Sequence, residues 1–335
     1  MAVAEHLRLI LNQAIAQECA SSISLWIGTS DETLFTMHAG DANKDTIYDL
    51  ASLTKILGTT VTLAKASSDG VLGLNEQPFK AWPTVKVNNL LAHNSGLVAH
   101  RKFYEVRGIK IGNWHKNRQL MMQALYEETV ASAVNSGRVY SDLNFLALGD
   151  LLEQRRKKPL WQIFKDTWAY ASFNEPFLYF ASGKYGYSNN VASTGYCSHR
   201  HEYLRAQVHD LNCYFLGGLA GHAGLFGNLL SVALLGQYFL RCYRSSTGEF
   251  ESTLRFFMRN RLGFDYPTAD GSVRCLSDKS FGHFGYTGTS LWIDPLFNSG
   301  QGRIYVLLTN RIAKSNRPEP IFWLRKKIHE LGSLI

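Results

Sequence analysis

Cysteine is scarce: there are five, at positions 19, 197, 213, 242 and 275, an odd number with no Cys-x-x-Cys spacing. That excludes a disulfide framework and points to reduced thiols in a cytoplasm-like compartment. Proline is sparse too, with 8 in 335 residues, and there is no low-complexity tract or solenoid repeat. Collagen-like, mucin-like and bulk-disordered classes are excluded. Long apolar runs are missing, since the longest, Leu229 to Leu240, is broken by Ser231, Gly236 and Gln237. It falls short of the roughly 20 residues of a membrane-spanning helix. The first twenty residues have neither a charged leader nor an unbroken apolar block, so they read as an amphipathic helix and not as a signal peptide. Clustered charge of one sign is limited. The net charge is +8, yet its densest basic runs, Arg155 to Lys158 and Arg325 to Lys327, suit solvated helix ends better than a phosphate groove, and no nucleic-acid partner is expected.

What is present is 45% hydrophobic residues, 13% aromatic residues and 28 glycines, enough for a large core in a loop-rich α/β or α+β body. After the first helix, alternating runs at Ser22 to Ile27 and Thr33 to His38 flank a Gly-Thr-Ser-Asp-Glu turn and predict a β-hairpin, with a third strand at Thr46 to Leu50. At Ser52 the period changes to helical and runs to Gly70. Helical patterns then dominate, at Val87 to Ala92, Gln119 to Ala133, Asp142 to Gln154, Leu160 to Trp168 and Asn228 to Tyr243. Strand signals return at Phe281 to Gly285, Thr289 to Ile293 and Arg303 to Leu308, before a closing helix at Glu319 to Leu331. The connections between these last strands are too short for parallel crossovers. The expected fold is α+β: one domain over 1–335 whose antiparallel sheet, about 1–70 and 260–335, is flanked by the N- and C-terminal helices and carries an all-helical insertion, about 71–259.

Three local constellations could carry chemistry. Ser52-Leu53-Thr54-Lys55 puts a lysine amine one turn from a serine hydroxyl at a helix start, where backbone amides face a nearby oxyanion. Composition alone predicts about one Ser-x-x-Lys in such a chain, and a serine there can also be a plain helix cap. Tyr140-Ser141-Asp142 begins a helix, where Ser141 or Asp142 could serve as the cap. His283 lies in His283-Phe284-Gly285 on a strand that could sit at the sheet edge beside Ser52. Cys197, His199, His201, His209 and Cys213 fall within 17 residues, but their spacing matches none of the usual zinc frames, and no metal or other cofactor is expected. The glycine-rich run Gly218 to Gly227 has neither dinucleotide nor Walker spacing and reads as a tight loop beneath a pocket, with His222 as a possible substrate contact.

Taken together and in this order, the three constellations resemble the Ser-x-x-Lys, Tyr-x-Asn and Lys-Thr-Gly signatures of the SxxK serine hydrolases, the superfamily of penicillin-binding proteins and class C β-lactamases. Flanking segments resemble it as well: Asp49-Leu50-Ala51, Leu90 to Leu97, Gly221 to Phe226 and Gly288 to Asp294. The resemblance runs from about Thr46 to Asn310. It implies Ser52 as nucleophile, Lys55 and Tyr140 as the proton-handling pair, and an oxyanion hole made by the backbone N–H groups of Ser52 and Tyr286. Asp142, His283, Phe284, Gly285 and His222 would line the substrate site.

Two positions depart from that pattern. Asp142 stands for the usual asparagine and could pair with Lys55; His283-Phe284 stands for Lys-Thr, removing an ammonium and a hydroxyl that the family uses to hold a carboxylate. With an ordinary pKa near 6.5, His283 is expected to be mostly neutral at neutral pH and to gain charge in mild acid. The expected activity is cleavage of an ester or amide through an acyl-enzyme on Ser52, with muropeptide-like fragments as substrate class. β-Lactam or D-amino-acid peptide hydrolysis is the alternative, and a non-catalytic binding or self-assembling protein on the same scaffold is the rival of another kind. A small-molecule substrate, no membrane insertion and a cytoplasmic location complete the expectation; the oligomeric state stays open.

Overall fold

The structure, a computed structural model, describes residues 2–173, 177–182, 190–245, 247–269, 271–314 and 317–335. Helix α1 (Ala2–Ala16) leads into β1 (Ser22–Gly28) and β2 (Thr33–Gly40), and the short β3 (Tyr48–Asp49) precedes Ser52. A π-helical stretch, Lys55–Thr60, continues as α2 (Val61–Ser68). The following helices are α3 (Val87–Leu91), α4 (Trp114–Glu127), α5 (Asp142–Arg156) and α6 (Leu160–Tyr170). A small hairpin of β4 (Gly195–Cys197) and β5 (Glu202–Leu204), then α7 (Leu211–Phe215) and β6 (Phe226–Gly227), lead to α8 (Leu229–Arg244) and α9 (Glu249–Arg259). The chain closes with β7 (Phe281–Phe284), β8 (Ser290–Asp294), the turn-like α10 (Phe297–Gly300), β9 (Arg303–Thr309) and α11 (Glu319–Gly332).

The main sheet is antiparallel in the order β2-β1-β9-β8-β7, so distant segments complete it, with Leu25 opposite Leu307 and His283 opposite Leu291. Every residue of β1 and β9 is buried, as expected for strands covered on both faces. On one face, Leu7, Leu11 and Ala14 of α1 and Ile321, Leu324 and Ile328 of α11 pack on Ile23, Leu25, Trp292 and Tyr305. On the other, α8 lies across the sheet, and its Gly236 approaches Ile304 and Leu291 so closely that a Cβ would stand 3.1 Å from each.

The α+β class, the antiparallel sheet and its terminal helices agree with the expectation. Three details differ. Tyr48–Asp49 pairs with Phe226–Gly227 in a separate two-stranded sheet, because the chain turns at Ala51 before it could join the main one. The insertion is not all helical, since it carries β4, β5 and β6. It also supplies α8 to the sheet, so the helices and that sheet face share one continuous core. No helix is long and apolar enough to cross a membrane among the described residues.

Candidate active site

Ser52 sits at a forced bend. Ala51, just before it, is left-handed with φ 48°, a conformation that costs an alanine free energy and persists only where the surroundings impose it. The buried Asp49 carboxylate imposes part of it, accepting from the Ala51 N–H at 2.9 Å and the His209 N–H at 2.7 Å. Burial pushes the Asp49 carboxyl up to about 6 against the pull of these two bonds. From the sheet side, Thr287 Oγ1 donates to Asp49 O at 2.7 Å and Thr289 Oγ1 donates to Leu50 O at 3.1 Å. Gly285 allows that approach: a Cβ there would lie 2.0 Å from Thr289 Oγ1 and 2.8 Å from Leu50 O. The invading strand end and the bent segment before Ser52 therefore fit only because residue 285 has no side chain.

Beyond the bend the helix opens into π geometry over Lys55–Thr60, a form that recurs at functional sites. Lys55 Nζ donates to Ser52 Oγ at 2.9 Å, to Asp142 Oδ1 at 2.8 Å and, more distantly, to His222 O at 3.4 Å. Gly221 brings that last carbonyl in, for a Cβ on it would meet Phe145 O at 2.0 Å. Tyr140 OH donates to Ser52 Oγ at 3.0 Å from the loop entering α5. Ser141 occupies the cap position without a side-chain cap bond; its Oγ donates to Val98 O at 2.7 Å and its N–H to His93 Nδ1 at 3.0 Å. The His93 ring lies 4.8 Å from that of Tyr140. Sequence motif and loop clamp thus deliver Tyr140 to the serine.

Lys55 has no exposed side-chain surface. Burial disfavours its ammonium, but the Asp142 charge, with Tyr140 adding to it, outweighs burial and holds the pKa above the ordinary lysine value. Burial likewise disfavours the Asp142 carboxylate, and Lys55 more than reverses this, so the carboxyl ionises far below its usual range. Tyr140 is raised, mainly by burial, with Lys55 opposing. At neutral pH the resting site therefore holds an ammonium, a carboxylate and a neutral phenol around the serine.

His283 faces Tyr140, with ring centroids 5.6 Å apart, and is 2% exposed. Its Nδ1 lies 2.7 Å from Phe284 O, which assigns the proton to Nδ1 and leaves Nε2 an acceptor; Nε2 is buried without a hydrogen-bond partner, 3.8 Å from Asp265 Oδ2. Asp265 is paired with Arg138. Burial lowers the His283 pKa, only partly countered by Asp265. Burial therefore moves the pH at which His283 gains charge below that of an ordinary imidazole. Phe284 turns to the other face of the strand, its ring against Trp292 and under the Arg325 guanidinium at 4.3 Å.

These residues border a cavity of about 740 Å³. Ser52, Tyr140, Asp142, His222, His283, Phe284, Gly285 and Tyr286 all line it. His222 is buried and its Nε2 bonds Asp210 Oδ1 at 2.9 Å. Several lining groups were not singled out from sequence. His100 reaches Asp142 Oδ2 at 3.4 Å, and Arg325 donates to Gly285 O at 3.1 Å and to Thr289 O at 2.8 Å instead of ending a solvated helix face. Burial brings the Arg325 pKa down to about 9. No group of three or more His, Cys, Asp or Glu positioned to hold a metal occurs among the described residues. Of the cysteine-histidine segment, Cys213 donates to Ala223 O at 3.2 Å, Cys197 accepts from Arg200 Nε at 3.4 Å, and His199 packs edge-on to Tyr104 and Phe215.

The model of the family described as Beta-lactamase matches residues 10–320. The chain belongs to the beta-lactamase family. An N-acetylmuramyl-L-alanine amidase of Bacillus subtilis (strain 168) is 26% identical over 311 residues, covering 79% of this chain and 68% of the relative. Among solved structures, EstCE1, a hydrolase with promiscuous acyltransferase activity, superposes with a TM-score of 0.71 at 18% identity, covering 98% of both chains. A class C beta lactamase does so with a TM-score of 0.66 at 14% identity, again over 98% of both. This family member is a serine hydrolase of the β-lactamase and penicillin-binding-protein type, acting on ester or amide bonds.

Proposed function

We propose that Ser52 is the nucleophile of this hydrolase and that its substrates are amides or esters of muropeptide-like fragments. The observation that carries the reading is the convergence of two donors on one hydroxyl: Lys55 Nζ at 2.9 Å and Tyr140 OH at 3.0 Å from Ser52 Oγ, on the wall of a 740 Å³ cavity. Once Lys55 has shed one ammonium proton, Ser52 Oγ attacks the carbonyl carbon as its own proton passes to the free amine, the carbonyl oxygen gathers charge facing the N–H groups of Ser52 and Tyr286, and Tyr140 gives its proton to the leaving group and is reprotonated by Lys55. Water then releases the acid from the acyl-enzyme by the reverse proton path. Similarity to the muramyl-alanine amidase supports the substrate class. So does the neutral His283 wall, which lacks the ammonium that would favour a β-lactam carboxylate. The five thiols, none in a disulfide, support a reducing, cytoplasm-like compartment. The test is cleavage of N-acetylmuramyl-L-alanine peptides followed by mass spectrometry. New amine and acid termini should form with wild type and not with Ser52→Ala. Equal product from Ser52→Ala would remove the nucleophile; no product from wild type that still turns over p-nitrophenyl esters would remove the substrate class.

A further inference from the structure

His100 belongs to none of the three constellations, yet it stands at the end of a line that begins at the serine. Residues 98–100 run beside the start of α5, because Asp142 N–H donates to Ala99 O at 2.9 Å and Ser141 Oγ donates to Val98 O at 2.7 Å. This brings His100 Nδ1 to 3.4 Å from Asp142 Oδ2. The other carboxylate oxygen holds Lys55 Nζ at 2.8 Å, and Lys55 Nζ holds Ser52 Oγ at 2.9 Å. Exposure rises along the line, from 0% for the Lys55 side chain through 20% for Asp142 to 45% for His100. Two polar groups, Asp142 and His100, therefore connect a buried lysine to bulk solvent.

We propose that His100 is the solvent end of a proton path, Ser52–Lys55–Asp142–His100, which unloads the Lys55 ammonium before the serine is activated. The proposal rests on Ser52 being the nucleophile. An ammonium can donate to Ser52 Oγ but cannot accept its proton, so one proton must first leave a side chain that touches no bulk water. It passes from Lys55 Nζ to Asp142 Oδ1. Rotation of the carboxyl exchanges the two oxygens and presents the proton to Nδ1 of His100 in its neutral Nε2–H tautomer; Nε2–H then releases one proton to water, and exchange with solvent returns the resulting Nδ1–H tautomer to the Nε2–H form before the next turnover. Lys55 is left as a free amine able to take the Ser52 proton as the Oγ–carbon bond forms.

His100 can accept only while neutral, so the path opens as pH rises through its pKa. The hydrogen bond that charged His100 donates to Asp142 on α5 raises that pKa against partial burial, with Asp210 of the segment before α7 adding to it and Lys102 opposing. His100 acts through Asp142, and it is a positioning residue and not a catalytic one.

The test follows Ser52 modification by a fluorophosphonate using intact mass, with kinact and KI separated, between about pH 5.5 and about pH 8.5. Wild type, His100→Ala, His100→Gln and Ser52→Ala are compared with and without imidazole. The expected result is a kinact lowered about tenfold or more in both His100 variants with KI unchanged, loss of the rise with pH, and saturable recovery of His100→Ala by imidazole. Wild-type kinact in both variants would overturn the path, as would a loss confined to KI, full recovery by Gln, or no effect of imidazole. Labelling of Ser52→Ala at the wild-type rate would instead remove the nucleophile itself. Ser52→Ala unlabelled beside unaffected His100 variants removes the path alone.

Discussion

Two walls meet at Ser52. The helical wall, made by the π-helical stretch and α5, carries a buried ammonium answered by a carboxylate, and it is joined to solvent through His100. The strand wall, β7, carries a neutral imidazole with one nitrogen unpartnered, and its nearest carboxylate is already paired with Arg138. A charged pair so placed fixes a protonation state, whereas a buried neutral group leaves the pocket without a charge to offer a ligand. On the proposed mechanism the helical wall handles protons, and the strand wall admits substrates that bring no carboxylate to His283.

The largest effect should come from the helical wall. Removing one member of a buried ion pair leaves the other desolvated and uncompensated, so Asp142→Asn should lower unfolding free energy by about 3 kcal/mol, the low end of the range because Asp142 keeps some exposure. The sign with pH is fixed by both partners. Asp142 is depressed, so its contribution is present above its ordinary pKa of about 3.9 and is lost as pH falls through its lower folded value. Lys55 is raised, so its contribution is present below about 10.4 and is lost as pH rises through its higher folded value. Urea unfolding should therefore show wild type more stable than Asp142→Asn throughout the range between those limits, with a gap that does not close in mild acid because in the variant His100 also loses its partner. A gap that closes in mild acid would place Asp142 outside the pair.

Proton handling gives an effect of the same order, read as a rate. Lys55→Ala and Tyr140→Phe should each slow ester turnover by about 10²- to 10⁴-fold, and the double variant should be little slower than the slower single one, since groups acting as a unit are non-additive. Losses that multiply would mean that Lys55 and Tyr140 act independently.

The strand wall gives a smaller effect. With the His283 pKa lowered by burial, the ratio of kcat/KM for a chromogenic cephalosporin to that for a p-nitrophenyl ester should rise less between about pH 7.5 and about pH 5.5 than an ordinary imidazole would make it. His283→Lys should raise the ratio about ten- to a hundredfold by adding one charge-assisted hydrogen bond of roughly 1.5 to 3 kcal/mol. A ratio that climbs in acid along the full curve of an ordinary imidazole would mean that burial does not lower the His283 pKa.

The smallest expected change concerns the fit between the walls. Gly285→Ala would force a Cβ into Thr289 Oγ1 and Leu50 O, and overpacking of this kind costs about 1 to 3 kcal/mol. Urea denaturation measures it, and an unchanged midpoint would mean that the strand end is not pressed against the nucleophile bend.

How much of this was legible in the sequence differs between the same two walls. Periodicity marked the hairpin, the start of α5, β7 to β9 and the terminal helices, because each pattern is local and its apolar face is long. It missed α9, although Phe250, Leu254, Phe257 and Met258 form one buried face. Ser52, Lys55, Tyr140 and His283 were found because each sits in a short motif, and the Asp142–Lys55 pairing followed from charge alone. His100, Asp210, Asp265 and Arg325 carry no such signal. They reach the cavity through the clamp of 98–99 on 141–142, the bridge of Asp265 to Gly282, and the lie of α11 over the β7–β8 turn. The neutral state of His283 was out of reach for the same reason, since it depends on burial that only the assembled walls create.

The most direct measurement is the mass of the intact protein after reaction with a fluorophosphonate, followed by digestion to find the modified residue. A single adduct on the peptide containing Ser52, absent from Ser52→Ala and slowed in Lys55→Ala, is the predicted result. An adduct on another serine, or a wild-type protein that turns over esters while Ser52 stays unmodified, would contradict it.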